Sequence, residues 1–400
     1  MSTKPKLLVL ASTYPRWSGD PEPGFVHELS RRLTDHFTVI VLCPHAAGAA
    51  SNEEIDSVKV KRFRYAPEGF EKLVNDGGIV TNLKRAPWMW FLVPLFLVAQ
   101  AWATWKTIRK WRPDVVHAHW LIPQGLIIAL LSTMSRSAPP FLVTSHGADL
   151  HSLRFWPMPA LKRLVLRRAS AVTVVSSAML SAMQQQGIPT DGVRVEPMGV
   201  DLSVRFTPDD SVQRSRNEIL FVGRLVEKKG LRYLIDAMPI ILEKHPEAHL
   251  TIAGFGPEEE ALRDQIRILG LQGKVEFLGA VAQENLPELY RRASIFVAPF
   301  VETESGDQEG LGLVTVEAIG CGCPVVVSNL PAVAEVINEP KMLAEPGAPG
   351  QLANAVSGIL MLKEPERQEV VKSQRERLFR WLDWKSRGRA YQVLLHELAQ

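Results

Sequence analysis

An α/β fold with two doubly wound parallel sheets is predicted by three features of this 400-residue sequence. Short apolar, β-branched runs alternate with helical patterns along the whole chain, the pattern of parallel strands joined by crossover helices. The alternation falls into two series, separated near residue 200 by a polar stretch with no sustained periodicity. The length exceeds what one ordinary core serves, so two domains of about 150 to 200 residues each are expected.

Composition narrows the class. The chain is 46% apolar and 22% charged, which is globular, and its net charge of +3 is too small to argue for nucleic acid. Three cysteines, Cys43, Cys321 and Cys323, are an odd count with no secretory signal pattern, so reduced thiols in the cytoplasm are expected. Cys321 and Cys323 form a CxC with no second pair, which favours small residues packing a helix end over a metal site.

In the first series the runs are Leu7 to Ala11, Phe37 to Cys43, Val58 to Phe63, Asp114 to His117, Phe141 to Ser145 and Ala171 to Val175. Ligands of such sheets gather beyond the carboxyl ends of the strands, so the residues after each run carry the functional signal. The first run is followed by STYPRWSGDPEPGF, Ser12 to Phe25, and then a helix through His27, Glu28 and Arg31. The loop lacks G-x-G-x-x-G, which argues against a dinucleotide site. Gly24, just before the helix, allows backbone amides to meet a phosphate; a plain surface loop is the alternative.

Residues 86–105 carry no charge and include Trp88, Trp90, Phe91, Phe96, Trp102 and Trp105, with Lys84, Arg85, Lys106, Arg109 and Lys110 on the flanks. Length alone permits a membrane span. The runs on either side read as members of one sheet, Pro94 interrupts the segment, and Gln100, Thr104 and Thr107 form a polar stripe at helical spacing. A helix lying on a membrane surface is therefore expected, with a core helix as the alternative. Lys162, Arg163, Arg167 and Arg168 form a second basic cluster. Two runs end in histidines, HAHW at 117–120 and SHGAD at 145–149. His146 is expected at the open mouth of the sheet, where it serves either structure or function; His117 and His119 are expected to pack.

The second series runs through Glu218 to Val222, His249 to Ala253, Lys274 to Leu278, Ser294 to Ala298 and Pro324 to Val327. Its first strand ends in GRLVEKKG, Gly223 to Gly230. Arg224 and Lys229, five residues apart at a strand's carboxyl end, can clamp a diphosphate, arginine with a planar fork and lysine with a point charge. A solvated basic turn is the alternative. GFGPE, Gly254 to Glu258, is expected as a tight turn with Pro257 at the first helical position.

DQEGLGLVTVEAIGCGCPVVVS, Asp307 to Ser328, holds Glu309 and Glu317 around a turn with Gly310 and Gly312. If the helix opens near Leu311, the two carboxylates lie at most ~12 Å apart along it. The unpaired amides of the helix start lie between them and favour a phosphate or diphosphate. One acid facing polyol hydroxyls on each side of a bound anion matches a nucleotide-sugar. Two solvated acids are the alternative, and the glycines, which let backbone approach a ligand, weigh against it.

GRLVEKKG at 223–230, AGFGPEEEAL at 253–262, FLGAVAQENLPELYRRASIFVAPF at 277–300, EGLGLVTVEAIGCGCPVV at 309–326 and the WLDW at 381–384 together resemble the retaining glycosyltransferases of family 4. PGFVHEL, DVVHAHW and SHGADL extend the resemblance into the first half. It implies the GT-B fold, two Rossmann-like domains facing across an interdomain cleft. An acceptor-side domain would span 1–200, with the helix of 382–400 crossing back to it, a linker 201–217 and a nucleotide-sugar domain 218–381. It also implies transfer of a sugar from a nucleoside-diphosphate donor with the anomeric configuration kept and no bound metal. By matching motif position, Arg224 and Lys229, on the loop opened by Gly223, would hold the diphosphate. Glu309 would meet the donor sugar, Glu317 the ribose, and the amides of Gly310, Leu311, Gly312 and Leu313 the phosphate. His146 matches a histidine near the donor sugar, and Gly24 the N-terminal glycine-rich loop. Pro23-Gly24 stands where the family has paired glycines, and Val301 to Gln308 is longer and more acidic than its pattern; both leave the acceptor and the sugar open.

The resulting expectation is a hexosyltransferase of polysaccharide biosynthesis, peripheral on the cytoplasmic face of the cell membrane. It would use a UDP-, GDP- or ADP-sugar and a polyprenyl-diphosphate-linked acceptor, with no cofactor and no nucleic acid. The alternatives are a soluble acceptor, a sugar-nucleotide epimerase of the same architecture, a phosphorylase with a pyridoxal cofactor, or a non-catalytic nucleotide-binding module.

Overall fold

A computed structural model of the chain describes residues 4–20, 24–75, 78–134 and 138–400. The chain divides into two compact units, Met1–Met198 with Arg387–Gln400, and Gly199–Ser386.

The first unit is built on a sheet of eight strands: β1 (Lys6–Leu10), β2 (Thr38–Pro44), β3 (Asn52–Ile55), β4 (Val58–Phe63), β5 (Val115–His119), β6 (Phe141–Ser145), β7 (Ala171–Val174) and β8 (Val193–Val195). Their order is β3-β4-β2-β1-β5-β6-β7-β8, parallel throughout except where β3 returns antiparallel along β4. Leu7, Leu8 and Leu10 of β1 and Val115 and Val116 of β5 are fully buried, as a sheet covered on both faces requires. The connection order reverses between β1 and β5, which opens a crevice beyond their carboxyl ends. Helix α1 (Phe25–Leu33) leads away from that edge, starting at Gly24.

Helix α2 (Leu92–Trp111) joins β4 to β5. Both strands belong to the same sheet, so the helix runs along the sheet rather than across a bilayer, although it is long and apolar enough to span one. Its inward stripe is Leu92, Phe96, Gln100, Thr104 and Thr107, all buried. The polar stripe thus faces the protein. Phe91 (80% exposed), Val98 (69%) and Trp102 (63%) face outward, the reverse of an ordinary amphipathic helix. Phe96 explains the anchoring at one end, packing edge-on against Phe63 and Tyr65 at 5.5 and 5.3 Å. At the other end Arg112 closes the helix in a left-handed conformation (φ 51°) before Pro113.

The second unit carries six parallel strands: β9 (Glu218–Val222), β10 (His249–Ala253), β11 (Val275–Gly279), β12 (Ile295–Ala298), β13 (Val325–Ser328) and β14 (Leu343–Ala344). Their order, β11-β10-β9-β12-β13-β14, is that of a Rossmann sheet, with the switch point between β9 and β12. Helix α3 (Leu231–Lys244) follows the loop after β9, and helix α4 (Leu313–Gly320) follows the loop after β12.

Residues 201–217, expected as a linker, are instead packed within the second unit. Leu202 and Phe206 are buried because Gly320 at the end of α4 leaves room for them; a Cβ on Gly320 would meet Leu202 Cδ2 at 2.5 Å. Arg291 Nε donates to Thr207 O at 2.7 Å and holds the stretch down. Its polar composition is explained by such bonds rather than by mobility. Helix α5 (Trp384–Ala399) begins in the second unit, and from Arg387 onward it belongs to the first. There Tyr391 Oη donates to Glu196 O at 2.7 Å and Arg387 pairs with Glu196 at 3.1 Å. Cys321 and Cys323 are buried free thiols at the end of α4, packed as expected. Pro257 lies before the cap of its helix, Glu259–Ile268, and not at its first position, because Glu258 N is drawn away to Leu225 O at 3.1 Å.

Candidate functional site

The two loops at the switch point of the second unit are joined by backbone and by charge. Gly230 ends the β9 loop at φ 66°, and a Cβ there would sit 1.8 Å from Pro299 O of the β12 loop, so only glycine permits this approach. Val301 N donates to Lys228 O at 3.0 Å. Lys229 Nζ donates to Glu309 Oε2 at 2.7 Å and lies 4.7 Å from the centre of the Phe300 ring. Lys228 pairs with Asp307 at 3.3 Å. The guanidinium of Arg224, half-buried beside them, has no hydrogen-bond or ion-pair partner among the described residues. Each ammonium is thus matched by a carboxylate, and the Arg224 guanidinium stands beside the two pairs.

Burial alone would raise the Glu309 carboxyl, but the ammoniums of Lys229 and Lys228 and the amide of Gly312 outweigh it and hold it at about 2. Lys229 is pushed down by burial, against the pull of Glu309 and with help from Lys228 and Arg224. Helix α4 starts at Leu313, two residues later than expected, because Gly312 adopts a left-handed conformation (φ 79°). Glu309 Oε1 accepts from Gly312 N at 3.3 Å. The amides of Leu313 and Val314, in the first turn of α4, have no intrahelical acceptor and carry the positive end of its dipole.

Glu317 sits in α4 and is buried, accepting from Tyr290 Oη at 3.0 Å and from the Gln283 side chain. Burial pushes it up to about 7, with Tyr290, Gln283 and the more distant Arg205 and Lys229 opposing. The two carboxylates of one segment are thus set apart: Glu309 is always ionised near neutrality, while Glu317 is poised to titrate there.

In the first unit, β5 and β6 deliver their histidines to one place. His119 Nδ1 and His146 Nε2 share a hydrogen bond of 2.9 Å, and their rings stack at 5.1 Å. Burial lowers His146 to about 3, with His117 adding to the effect, so the imidazole is neutral near pH 7. His117 is turned to the interior, bonded to Thr144 Oγ1 at 2.8 Å and stacked on Tyr391. Trp120 holds a left-handed backbone (φ 77°), unusual for a bulky side chain, and its ring lies 5.0 Å from that of His146. Phe25, the residue after Gly24, lies 4.8 Å from His146 and packs edge-on against Trp120 at 6.1 Å. Pro23 lies outside the described residues.

The structure therefore brings Gly223, Arg224, Lys229, Glu309 and the Gly310-to-Leu313 turn to one edge of the second unit, with Glu317 just behind. It brings Gly24 and His146 to one edge of the first. Sequence reasoning missed His119: alternation along β5 makes His117 and His119 equivalent, and only the strand order reveals that His119 is the one abreast of His146. It also missed Gln124, whose amide, oriented to satisfy both ends, donates to His119 O at 3.0 Å and accepts from Ser12 N and Gln100 Nε2.

Residues 25–204 match the family model described as Glycosyltransferase Family 4, and residues 207–377 the model described as Glycosyl transferases group 1. Among curated proteins, the chain is 31% identical over 252 residues to a GDP-mannose-dependent alpha-(1-6)-phosphatidylinositol monomannoside mannosyltransferase of Mycobacterium tuberculosis, covering 58% of this chain and 64% of that one. It is 31% identical over 292 residues to glycogen synthase of the same species, covering 70% and 68%. It is 36% identical over 243 residues to an uncharacterized glycosyltransferase of Methanocaldococcus jannaschii, covering 56% and 60%. The chain thus spans 60% to 64% of the first curated relatives it matches. Among solved structures, a sucrose-phosphate synthase of Thermosynechococcus elongatus aligns with TM-score 0.79 at 20% identity over 99% of both chains. HepE of Anabaena in complex with UDP-glucose aligns with TM-score 0.74 at 18% identity, over 98% of this chain and 99% of that one. At such identities the likeness is one of fold, GT-B with two Rossmann-like domains.

Proposed function

The chain belongs to glycosyltransferase family 4, and from that premise we propose that it moves a hexose from a nucleoside-diphosphate-sugar, with retention, to a lipid-linked acceptor at the cytoplasmic face of a membrane. One observation carries the donor half of this reading: Arg224, Lys229, Glu309 and the open amides of α4 meet at the β9/β12 switch point. An unpaired guanidinium, an ammonium and helix-start amides suit a diphosphate, and the charge that builds on the departing nucleoside diphosphate is stabilised where it develops. With that charge met by side chains and amides, no metal is called for. Glu309 accepts from the sugar's hydroxyls and Glu317 from the ribose, and His146, neutral at pH 7, is an uncharged hydrogen-bond partner for the sugar. UDP-glucose in HepE and the GDP-mannose dependence of the mycobacterial mannosyltransferase name two donors to test first.

The acceptor's hydroxyl oxygen bonds to the anomeric carbon on the face from which the diphosphate leaves, the carbon–oxygen bond to phosphate breaks, and a phosphate oxygen takes the hydroxyl proton. This front-face route needs no carboxylate nucleophile, and none of the site's acids is given that role.

The acceptor half rests on α2. A helix that buries its polar stripe and exposes Phe91, Leu95, Val98 and Trp102, between basic flanks, suits the headgroup region of a membrane. The test incubates the protein with UDP-, GDP- and ADP-hexoses, with and without a polyprenyl-diphosphate-linked saccharide. Transfer of an α-linked hexose to that lipid supports the reading. Conversion of the donor sugar without acceptor makes the protein an epimerase, and efficient transfer to a soluble saccharide alone removes the lipid.

A further inference from the structure

Alongside α2, within the first unit, runs a groove of about 750 Å³ between the helix and strand β4. Its volume is that of a site for a small molecule. The helix wall is Leu95, Val98 and Trp102, three exposed apolar side chains spaced along ~10 Å of axis. Lys106 and Lys110 continue the wall toward the helix C-terminus, and Lys61 of β4 faces them. No carboxylate lines the groove. The ammoniums of Lys61, Lys106 and Lys110 form no hydrogen bond or ion pair among the described residues. By contrast Arg62, next along β4, is spent on Glu53 and on the carbonyls of Ala50 and Pro15. Burial, then Lys110 and Lys59, push the Lys61 ammonium down, so like charges are gathered without a counter-ion.

An apolar trough that ends in three unpaired ammoniums is complementary to one class of molecule, an anion at the end of a hydrocarbon chain. A hydrophilic anion would leave Leu95, Val98 and Trp102 uncovered, and an uncharged lipid would leave the lysines unneutralised. Lys106 and Lys110 lie toward the amino edge of the sheet, since α2 ends at Trp111 and leads into the amino end of β5, whereas His146 follows the carboxyl end of β6. Lys61 lies on β4, with β2, β1 and β5 between it and β6. The phosphate so held is therefore not the acceptor's reacting end.

We propose that this groove is a binding site for an anionic phospholipid of the membrane, with the headgroup phosphate on Lys61, Lys106 and Lys110 and an acyl chain along Leu95, Val98 and Trp102. The site rests on the membrane-surface reading of α2 and adds to it a preference for anionic lipid. Such a lipid fixes the helix on the bilayer and leaves the carboxyl edge of the sheet, with His146, free.

Flotation with vesicles of phosphatidylcholine, with and without phosphatidylglycerol, tests it. The intact chain is expected to bind the anionic vesicles far more tightly. Lys61→Gln/Lys106→Gln/Lys110→Gln, which keeps most of each stem, is expected to lose on the order of 100-fold of that affinity and retain the weaker binding to phosphatidylcholine. Arg163→Gln/Arg167→Gln/Arg168→Gln makes the same charge change on the helix Met158–Arg168, outside the groove, and is expected to lose less than a tenth as much. A phosphatidylglycerol with a photoreactive acyl chain is expected to label residues 94–111. Equal losses in the two triple variants, or labelling elsewhere, overturn the groove and leave the membrane reading standing. Binding to neither vesicle overturns both.

Discussion

Lys229 Nζ and Glu309 Oε2, 80 residues apart in the chain, lie 2.7 Å apart and tie the loop after β9 to the loop after β12. Both are mostly buried, so each needs the other or a ligand. A diphosphate that engages Lys229 would release part of Glu309's hold and turn that carboxylate to the donor sugar.

Lys229→Ala and Glu309→Gln each leave one member of this pair without its partner. Turnover is expected to fall by about 10²-fold or more in both, as when one charge-stabilising group is removed from a transition state. Initial rates at saturating donor check this, and a change confined to KM would assign the pair to binding alone.

Glu317 gives the site a pH dependence. Its folded pKa of about 7 stands above the ordinary 4.5, so the folded state binds this proton more tightly than the unfolded chain does. The stability from that proton is fully present below about 4.5 and is lost as pH rises through 7, on the order of 3 kcal/mol. Donor affinity should move the opposite way, rising through pH 7 as the carboxylate becomes the stronger acceptor for ribose hydroxyls. Titration calorimetry at several pH values measures it, and Glu317→Gln should flatten the profile.

His119 positions His146. His119→Phe keeps an aromatic ring in the stack but removes the 2.9 Å bond. A fall in kcat of about tenfold is expected with little change in melting temperature, and His119→Asn should recover part of it. Equal loss of stability in both variants would make the contact one of packing.

Gly230→Ala must move Pro299 O or give up φ 66°. A loss above 3 kcal/mol is expected, seen as a lower denaturation midpoint, with donor binding lost in the same variant.

Val98→Ser/Trp102→Ser removes side chains 69% and 63% exposed. Thermal stability should change by less than about 1 kcal/mol, since no core contact is lost, while flotation with vesicles drops sharply.

Much of this was legible in the sequence for identifiable reasons. The buried central strands are short, largely apolar runs, so β1, β5, β9, β12 and β13 read within a residue or two of their ends. β3, β8 and β14 were not read, because strands of two to four residues at sheet edges carry no periodicity. The Glu309-to-Glu317 segment and Arg224 with Lys229 stood out because glycines and charges cluster at strand ends, yet nothing local says that Lys229 touches Glu309. The stripe of Gln100, Thr104 and Thr107 was visible, but hydropathy does not say which face the sheet takes. It took the polar one, through the buried amide contact of Gln100 with Gln124. The stretch 201–217 looked like a linker because Leu202 and Phe206 are too few to make a pattern, and their cover at Gly320 lies more than a hundred residues away.

The most direct test of the account is a melting-temperature panel with UDP, GDP, ADP and their hexoses, on the intact chain and on Lys229→Ala. A ligand that binds only the folded chain at 100 times its dissociation constant adds about 2.7 kcal/mol, a rise on the order of 5 °C. One base with its sugar is predicted to give that rise in the intact chain and none in the variant. No rise with any nucleotide, or an equal rise in Lys229→Ala, would contradict a diphosphate held at the β9/β12 switch point.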